Sequence, residues 1–261
     1  IGDLEELAAA GQNVSFELVE ATELADSQPV LSEEMRVGLR LHDQRFIDPA
    51  RYVTSLATAV ERRGGKIRAP FEVEDIVDDR SGVVVTSSAD DQERFDALVL
   101  ATGASLNHLG ARFGIRMPVQ AGRGYSFSVQ PDVEIPGPIY LPVQRIACTP
   151  LNGRLRIAGL MEFAAPGQPP DPRQLKLLIE SARPLLTNVD LEDRQDEWVG
   201  SRPVTADGLP LIGATASDRV FAAGGHGMWG IVLGPITGKL LARTIVEGHD
   251  VPELAPFDPE R

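Results

Sequence analysis

One cysteine, Cys148, stands in 261 residues. A lone thiol excludes an intrachain disulfide framework and fits a reducing compartment. Positive charge is scarce: 25 Lys and Arg against 38 Asp and Glu leave a formal net charge of −13. That balance argues against a nucleic-acid partner and against an anionic membrane surface acting through bulk charge, while leaving room for a local basic pocket. No apolar run reads as approaching the roughly 18 to 20 residues of a membrane span. No basic-then-apolar leader opens the chain at Ile1. The expected location is the cytoplasm, including the periphery of the inner membrane face.

Several chemistries are missing too. His42, His108, His226 and His249 show no metal-ligand spacing with one another or with Cys148, so no metal site is expected. No G-x-S-x-G elbow and no Walker loop appears. Nor does a G-x-G-x-x-G follow an opening strand: Gly122-Arg-Gly124 has the wrong spacing, and Gly224-Gly-His-Gly227, which with Gly230 repeats the letters of the pattern, lies far along the chain with the wrong neighbours for that dinucleotide fingerprint. Cys148 reads as a small buried apolar residue and not a nucleophile. Asp78-Asp79 and Asp90-Asp91 sit in turn-like contexts and are expected to be solvated.

What is present fits a folded α/β chain. Hydrophobic content is 43% with 25 glycines, and the length suffices for one large or two moderate domains. Helices are predicted at 3–11, at 17–25 with Glu17, Glu20 and Glu23 on the wetter face, and at 173–186. Asp48 as N-cap and Pro49 at the first helical position start another, which Gly64-Gly65 stops. Strands are predicted at 36–41, 66–68, 73–77 and 83–86, the last two around the turn Asp78-Asp-Arg-Ser-Gly82. Phe95 to Ala101 is nearly unbroken apolar and reads as a central strand covered on both faces. It ends in Ala101-Thr102-Gly103, small residues and amides at a sheet's carboxyl edge, where ligands of α/β folds bind. From Met117 to Glu162 the segments are short and β-rich, with a hairpin at Asn152-Gly153, and Ala165 to Pro172 reads as a proline-rich linker.

Residues 198–241 are the most informative. Arg202-Pro leads into a polar turn from Val204 to Gly208, then a Pro-Leu-Ile-Gly strand signal. A second apolar run, Val220-Phe-Ala-Ala, ends in Gly224-Gly-His-Gly227, and Gly230, Pro235 and Gly238 punctuate a helix-like stretch. A strand that breaks into glycines and restarts as a helix leaves unpaired N–H groups at a helix N-terminus, where an anion or electron-rich ring can sit.

Arg202, the Thr205-Ala-Asp-Gly-Leu-Pro-Leu-Ile-Gly213 segment and these glycines together resemble the C-terminal signature of the flavin amine oxidoreductases of the D-amino-acid oxidase superfamily, with bacterial D-amino-acid dehydrogenases and glycine oxidases nearest in pattern. The resemblance runs from about Ile47 onward and is most specific after Trp198. Members carry G-x-G-x-x-G near the N-terminus for the ADP half of FAD, so the chain resembles the C-terminal two-thirds of such an enzyme.

The resemblance implies an α/β (α+β mixed) fold: part of an FAD-binding dinucleotide fold lacking its ADP-binding βαβ, plus a β-rich substrate domain. Segments 1–46 and 116–197 would belong to the substrate domain, 47–115 and 198–261 to the FAD domain. Arg202 falls on the family's carboxylate-binding arginine; a guanidinium fork suits that task. Tyr125 resembles a pocket tyrosine, with a packed core tyrosine as the alternative, and Met228 is a further substrate contact. Met161 and Glu162 are candidates for reaching the pocket. FAD contacts would come from Val73, whose backbone would touch the adenine (an ordinary strand valine being the alternative), from Ala101, Thr102 and Gly103, and from the segment Gly225, His226, Gly227, Met228, Trp229, Gly230, Ile231 and Val232. His226 is read as shaping the turn in preference to donating to the flavin. The stretch Trp198-Val-Gly-Ser lacks the cysteine that attaches FAD in sarcosine-oxidase-like relatives, so the flavin is expected to be noncovalent. The polypeptide as it stands, without the fingerprint, is expected to be colourless and inactive on its own.

The implied reaction transfers a hydride from a small amino acid, a D-amino acid or glycine-like amine, to flavin N5, giving an imino acid that hydrolyses to a 2-oxo acid. Orientation and charge stabilisation suffice, and no residue is assigned as general acid or base. The electron acceptor is oxygen or a quinone-type carrier. The rival reading is a non-catalytic binding or assembly subunit whose partner supplies the nucleotide fold.

Overall fold

The computed structural model describes residues 1–79, 81–248 and 251–261. In chain order the elements are α1 (Gly2–Ala9), β1 (Phe16–Glu20), α2 (Ala21–Ser27), β2 (Val37–Leu41), α3 (Pro49–Arg62), β3 (Val73–Asp79), β4 (Gly82–Ser87), β5 (Gln92–Phe95), β6 (Leu98–Leu100), α4 (Leu106–Gly110), β7 (Val119–Val129), β8 (Ile139–Leu141), β9 (Ile146–Leu151), β10 (Arg154–Phe163), α5 (Pro172–Ala182), β11 (Gln195–Thr205), β12 (Leu211–Ala214), β13 (Val220–Gly224) and α6 (Gly230–Glu247). The architecture is mixed α/β with several sheets. Two compact units emerge, each discontinuous in sequence. The first comprises Ile1–Tyr52, Gly124–Leu160 and Pro170–Val199; the second comprises Val53–Arg123, Met161–Pro169 and Gly200–Arg261.

The first unit is built on a five-stranded sheet in the order β11-β7-β10-β9-β8, with a β1-β2 ribbon. Asn152 (φ 53) and Gly153 (φ 78) make the tight turn between β9 and β10, as expected of Asn-Gly, whose left-handed dihedrals match the twist of the flanking strands. Alternate residues of β7 and β10 (Phe127, Val129, Leu155, Ile157) point into one core with Leu178, Ile179 and Ala182 of α5. Asp171 caps α5, its carboxylate accepting from Arg173 N at 2.9 Å. Cys148 is fully enclosed in this core, and burial pushes its thiol up to about 12.

The second unit carries two three-stranded sheets, β3-β4-β5 and β12-β13-β6. Ile76, Val83, Leu100, Leu106, Leu211 and Val220 fill the core associated with them. Ile212, Phe221, Leu241, Val251 and Leu254 form a second cluster, joining β12, β13, α6 and the 3-10 turn Pro252–Phe257.

Several sequence expectations are revised. Residues 17–20 are strand, not helix: Phe16–Glu20 pairs antiparallel with β2, and Arg40 reaches across to Glu17 (2.6 Å) and Glu23 (3.0 Å). Cross-strand pairing overrides the local helical spacing. Lys66–Arg68 forms no strand, having no pairing partner; Arg68 lies over the Phe71 ring and pairs with Glu93. The apolar run from Phe95 is split at Asp96-Ala97. Its first residue ends β5, paired antiparallel with β4, and Leu98–Leu100 joins a different sheet. Among the described strands β6 stands at the end of that sheet's order beside β13, with Val99 39% exposed. Asp78 and Asp79 are engaged rather than merely solvated: Asp78 accepts from Ser217 Oγ at 2.5 Å, and Asp79 pairs with Arg94 at 2.8 Å. Arg80, within the expected turn, lies outside the described residues, as does His249. Helix Gly227–Glu247 is long and apolar enough, by length and composition, to cross a membrane, contrary to the expectation that no run approaches such a span. Gly230, Gly234, Pro235 and Gly238 interrupt its large side chains without making it polar.

Candidate functional site

Two glycine-bearing strand ends leave the same edge of the second unit's parallel pair. β6 runs parallel to β13, with Val220 opposite Leu98 and Ala222 opposite Leu100. Ala101-Thr102-Gly103 follows β6 and Gly225-His226-Gly227 follows β13. Both therefore emerge at the carboxyl edge, the position from which α/β sheets present backbone to ligands. Gly225 (φ 76) and Gly227 (φ 54) are left-handed, a conformation that costs other L-residues about 1–2 kcal/mol. The two differ in surroundings. A Cβ on Gly225 would lie 2.7 Å from Thr205 Cγ2, whereas one on Gly227, or on Gly103, would meet nothing within 4 Å. The bend is thus pressed on one side and open on the other.

A 3-10 turn, Gly227–Trp229, leads straight into α6, and neither start has a side-chain cap. Uncapped amides and the helix macrodipole give this end positive character. His226 Nε2 lies 3.0 Å from Thr237 Oγ1 on α6, bracing the bend, and burial lowers its pKa. Met228, Trp229 and Val232 are 65%, 62% and 69% exposed, and Ile231 is also open to solvent. Val73 is in β3, opposite Ser87, and its side chain packs against the core cluster containing Leu100.

Arg202 is brought to this bend by backbone pairing. Val204 forms an isolated antiparallel bridge with His226. Arg202 precedes it by two residues on β11, so by strand alternation it shares Val204's face, about 7 Å along the strand. Val204 Cγ2 and Met161 Sδ come within 2.9 and 3.1 Å of where a Cβ on Gly122 would sit, which puts Gly122, Met161 and Val204 together. The Arg202 guanidinium is partly buried; its Nη1 is enclosed and has no hydrogen-bond partner among the described residues. Burial lowers its pKa. A half-desolvated cation without a partner is costly unless an anion reaches it.

Glu162 serves another cation. Arg123, its side chain 3% exposed, lies 3.3 Å from Glu162 and donates to Pro169 O at 3.0 Å. Arg123 carries no motif in the sequence that marks it; only the fold encloses it, in a strand that is buried at all but one position. Tyr125 lies in the other unit, 2% exposed in that core, with its phenol oxygen accepting from Asp171 N at 3.0 Å. The packed-core alternative describes that side chain. No group of three or more His, Cys, Asp or Glu among the described residues could hold a metal ion.

These residues suit a flavin. Glycines open toward free space allow a flat ring to approach backbone closely, uncapped amides offer donors, and Arg202 offers an enclosed N–H with nothing to bind. The family model described as "DAO: FAD dependent oxidoreductase" matches residues 1–244, and the chain belongs to that family. A D-amino acid dehydrogenase of Paramagnetospirillum magneticum is 27% identical over 226 residues, covering 85% of this chain and 54% of that protein. A D-amino-acid oxidase of Bradyrhizobium diazoefficiens is 31% identical over 248 residues, covering 92% and 58%. The crystal structure of glycine oxidase from Geobacillus kaustophilus superimposes with a TM-score of 0.86 at 27% identity, covering 99% of this chain and 70% of that one. The chain thus spans between half and three fifths of these two relatives' length.

Proposed function

We propose that the chain is the flavin-facing and substrate-binding part of an FAD-dependent oxidoreductase that oxidises a small amino acid, a D-amino acid or glycine-like amine, to the imino acid and thence the 2-oxo acid. The Val204–His226 bridge carries the reading, because it holds an unneutralised arginine beside an amide-rich bend. Arg202 would receive the substrate carboxylate bidentately, orienting the α-carbon. Ala101–Gly103 and Gly225–Val232 would hold the flavin noncovalently. FAD, when bound, supplies the two-electron acceptor for the substrate's α-hydride. The start of α6 would favour the negative charge that reduction brings, since its amides are fixed and need no reorganisation. The similarity to a D-amino acid dehydrogenase, a D-amino-acid oxidase and a glycine oxidase supports the substrate class.

The test is amino-acid oxidation by the flavin-loaded protein. Arg202→Leu should raise the substrate KM at least about tenfold, the loss expected when a charge-assisted contact is removed. An unchanged KM removes Arg202 from the site. A second reading is a binding or assembly subunit completed by a partner's nucleotide fold. A purified chain that is colourless, and that gains flavin absorbance only when a dinucleotide-binding polypeptide is added, would select it.

A further inference from the structure

Arg261 is bound more extensively than its distance in sequence from the bend suggests. Its Nε and Nη2 hold both oxygens of Asp207, at 2.8 and 3.2 Å. Nη2 also donates to Leu209 O at 2.9 Å, while Nη1 donates to Pro210 O at 3.1 Å and Asp258 O at 2.9 Å. One guanidinium therefore joins a carboxylate and two carbonyls of a single turn, an arrangement that fits Arg and not Lys. The segment behind it is anchored: Val251 and Leu254 are buried with Ile212, Phe221 and Leu241.

The turn it grips has little else to order it. Thr205 Oγ1 donates to Leu209 O at 2.8 Å and Asp207 Oδ1 accepts from Leu209 N at 3.0 Å. Ala206 offers no ring to fix φ, and Gly208 is left-handed at φ 77. This turn in turn supports the bend. A Cβ at Gly225 would lie 2.7 Å from Thr205, 3.5 Å from Leu211 N and 3.6 Å from Pro210 Cα, and Val204 bridges His226.

We infer that Arg261 is a positioning residue: by clamping the Thr205–Pro210 turn it fixes the Gly225–Gly227 bend against β11, and with it the spacing between Arg202 and the helix start. The catalytic consequence rests on the function proposed above; the mechanical one does not.

Amide hydrogen exchange of the whole chain tests the mechanical part. In Arg261→Gln, amides of 205–209 and 225–229 should exchange at least about tenfold faster, with α5 unchanged. Acceleration confined to 251–261, or to the turn without the bend, overturns the inference. Asp207→Asn, which keeps the carbonyl contacts, should give a smaller acceleration over the same two segments and serves if Arg261→Gln does not fold; its failure to reach the bend is equally decisive. In the flavin-loaded protein, single-turnover flavin reduction per bound flavin should fall about tenfold in Arg261→Gln, and Arg261→Lys should not restore it. An unchanged rate beside a loosened bend overturns the positioning role. A parent protein that does not reduce flavin with any amino acid sinks the proposed function instead, leaving the exchange result standing.

Discussion

Replacing Arg202 by leucine should separate binding from stability in opposite directions. The guanidinium is partly buried, one of its nitrogens is enclosed, and that nitrogen has no partner among the described residues. An enclosed, unsatisfied polar group costs about 1–3 kcal/mol, and leucine fills similar volume without that cost. The empty protein should therefore gain on the order of 1 kcal/mol, a Tm rise of roughly 2–4 °C at this size. A carboxylate ligand loses about 1.5–3 kcal/mol of charge-assisted hydrogen bonding, which is roughly 10- to 150-fold in affinity. Arg202→Lys keeps the charge without the fork and should fall between. Thermal melts with and without a saturating small carboxylate measure both effects: the parent gains a ligand-induced shift and the leucine variant loses it. A leucine variant that melts lower than the parent while keeping that shift would refute the assignment of Arg202 as an empty carboxylate site.

The remaining expectations concern the bend, the core and the turn. Gly225→Ala adds a left-handed alanine and a 2.7 Å contact with Thr205, costing about 2–5 kcal/mol. Gly227→Ala meets open space and should cost only about 1–2 kcal/mol, so equal urea midpoints for the two would contradict the packing. The Cys148 thiol, held at about 12 in the fold against an ordinary 9.0, should resist alkylation in the native protein. Because the folded value is raised, stability is unaffected below pH 9 and declines as pH climbs from there toward 12, a slope that Cys148→Ala should remove. Asp207 is held at about 2 by Arg261. A depressed carboxylate stabilises above its unfolded value near 3.8 and loses that contribution as pH falls toward 2. Acid titration should show this loss in the parent and a weaker one in Arg261→Gln.

Local chemistry in the sequence settled the features that depend on neighbours a few residues apart. Asp48-Pro49 began α3 as read, with Asp48 Oδ1 accepting from the Ala50 and Arg51 amides, and Asn152-Gly153 made its hairpin. The strand–glycine–helix reading of 220–247 matches β13, the bend and α6. Such signals are legible because caps and left-handed turns are satisfied within one turn of chain. Tertiary structure decided what depends on partners distant in sequence. Phe16–Glu20 became strand because β2 lies beside it, and the run from Phe95 was divided because its two halves pair in different sheets. Glu162 went to Arg123 and Asp207 to Arg261, pairings between residues 39 and 54 positions apart. Side-chain type alone cannot choose among 25 cations and 38 anions; only the folded path determines which of them meet, and so why Arg202 Nη1 has no hydrogen-bond partner among the described residues.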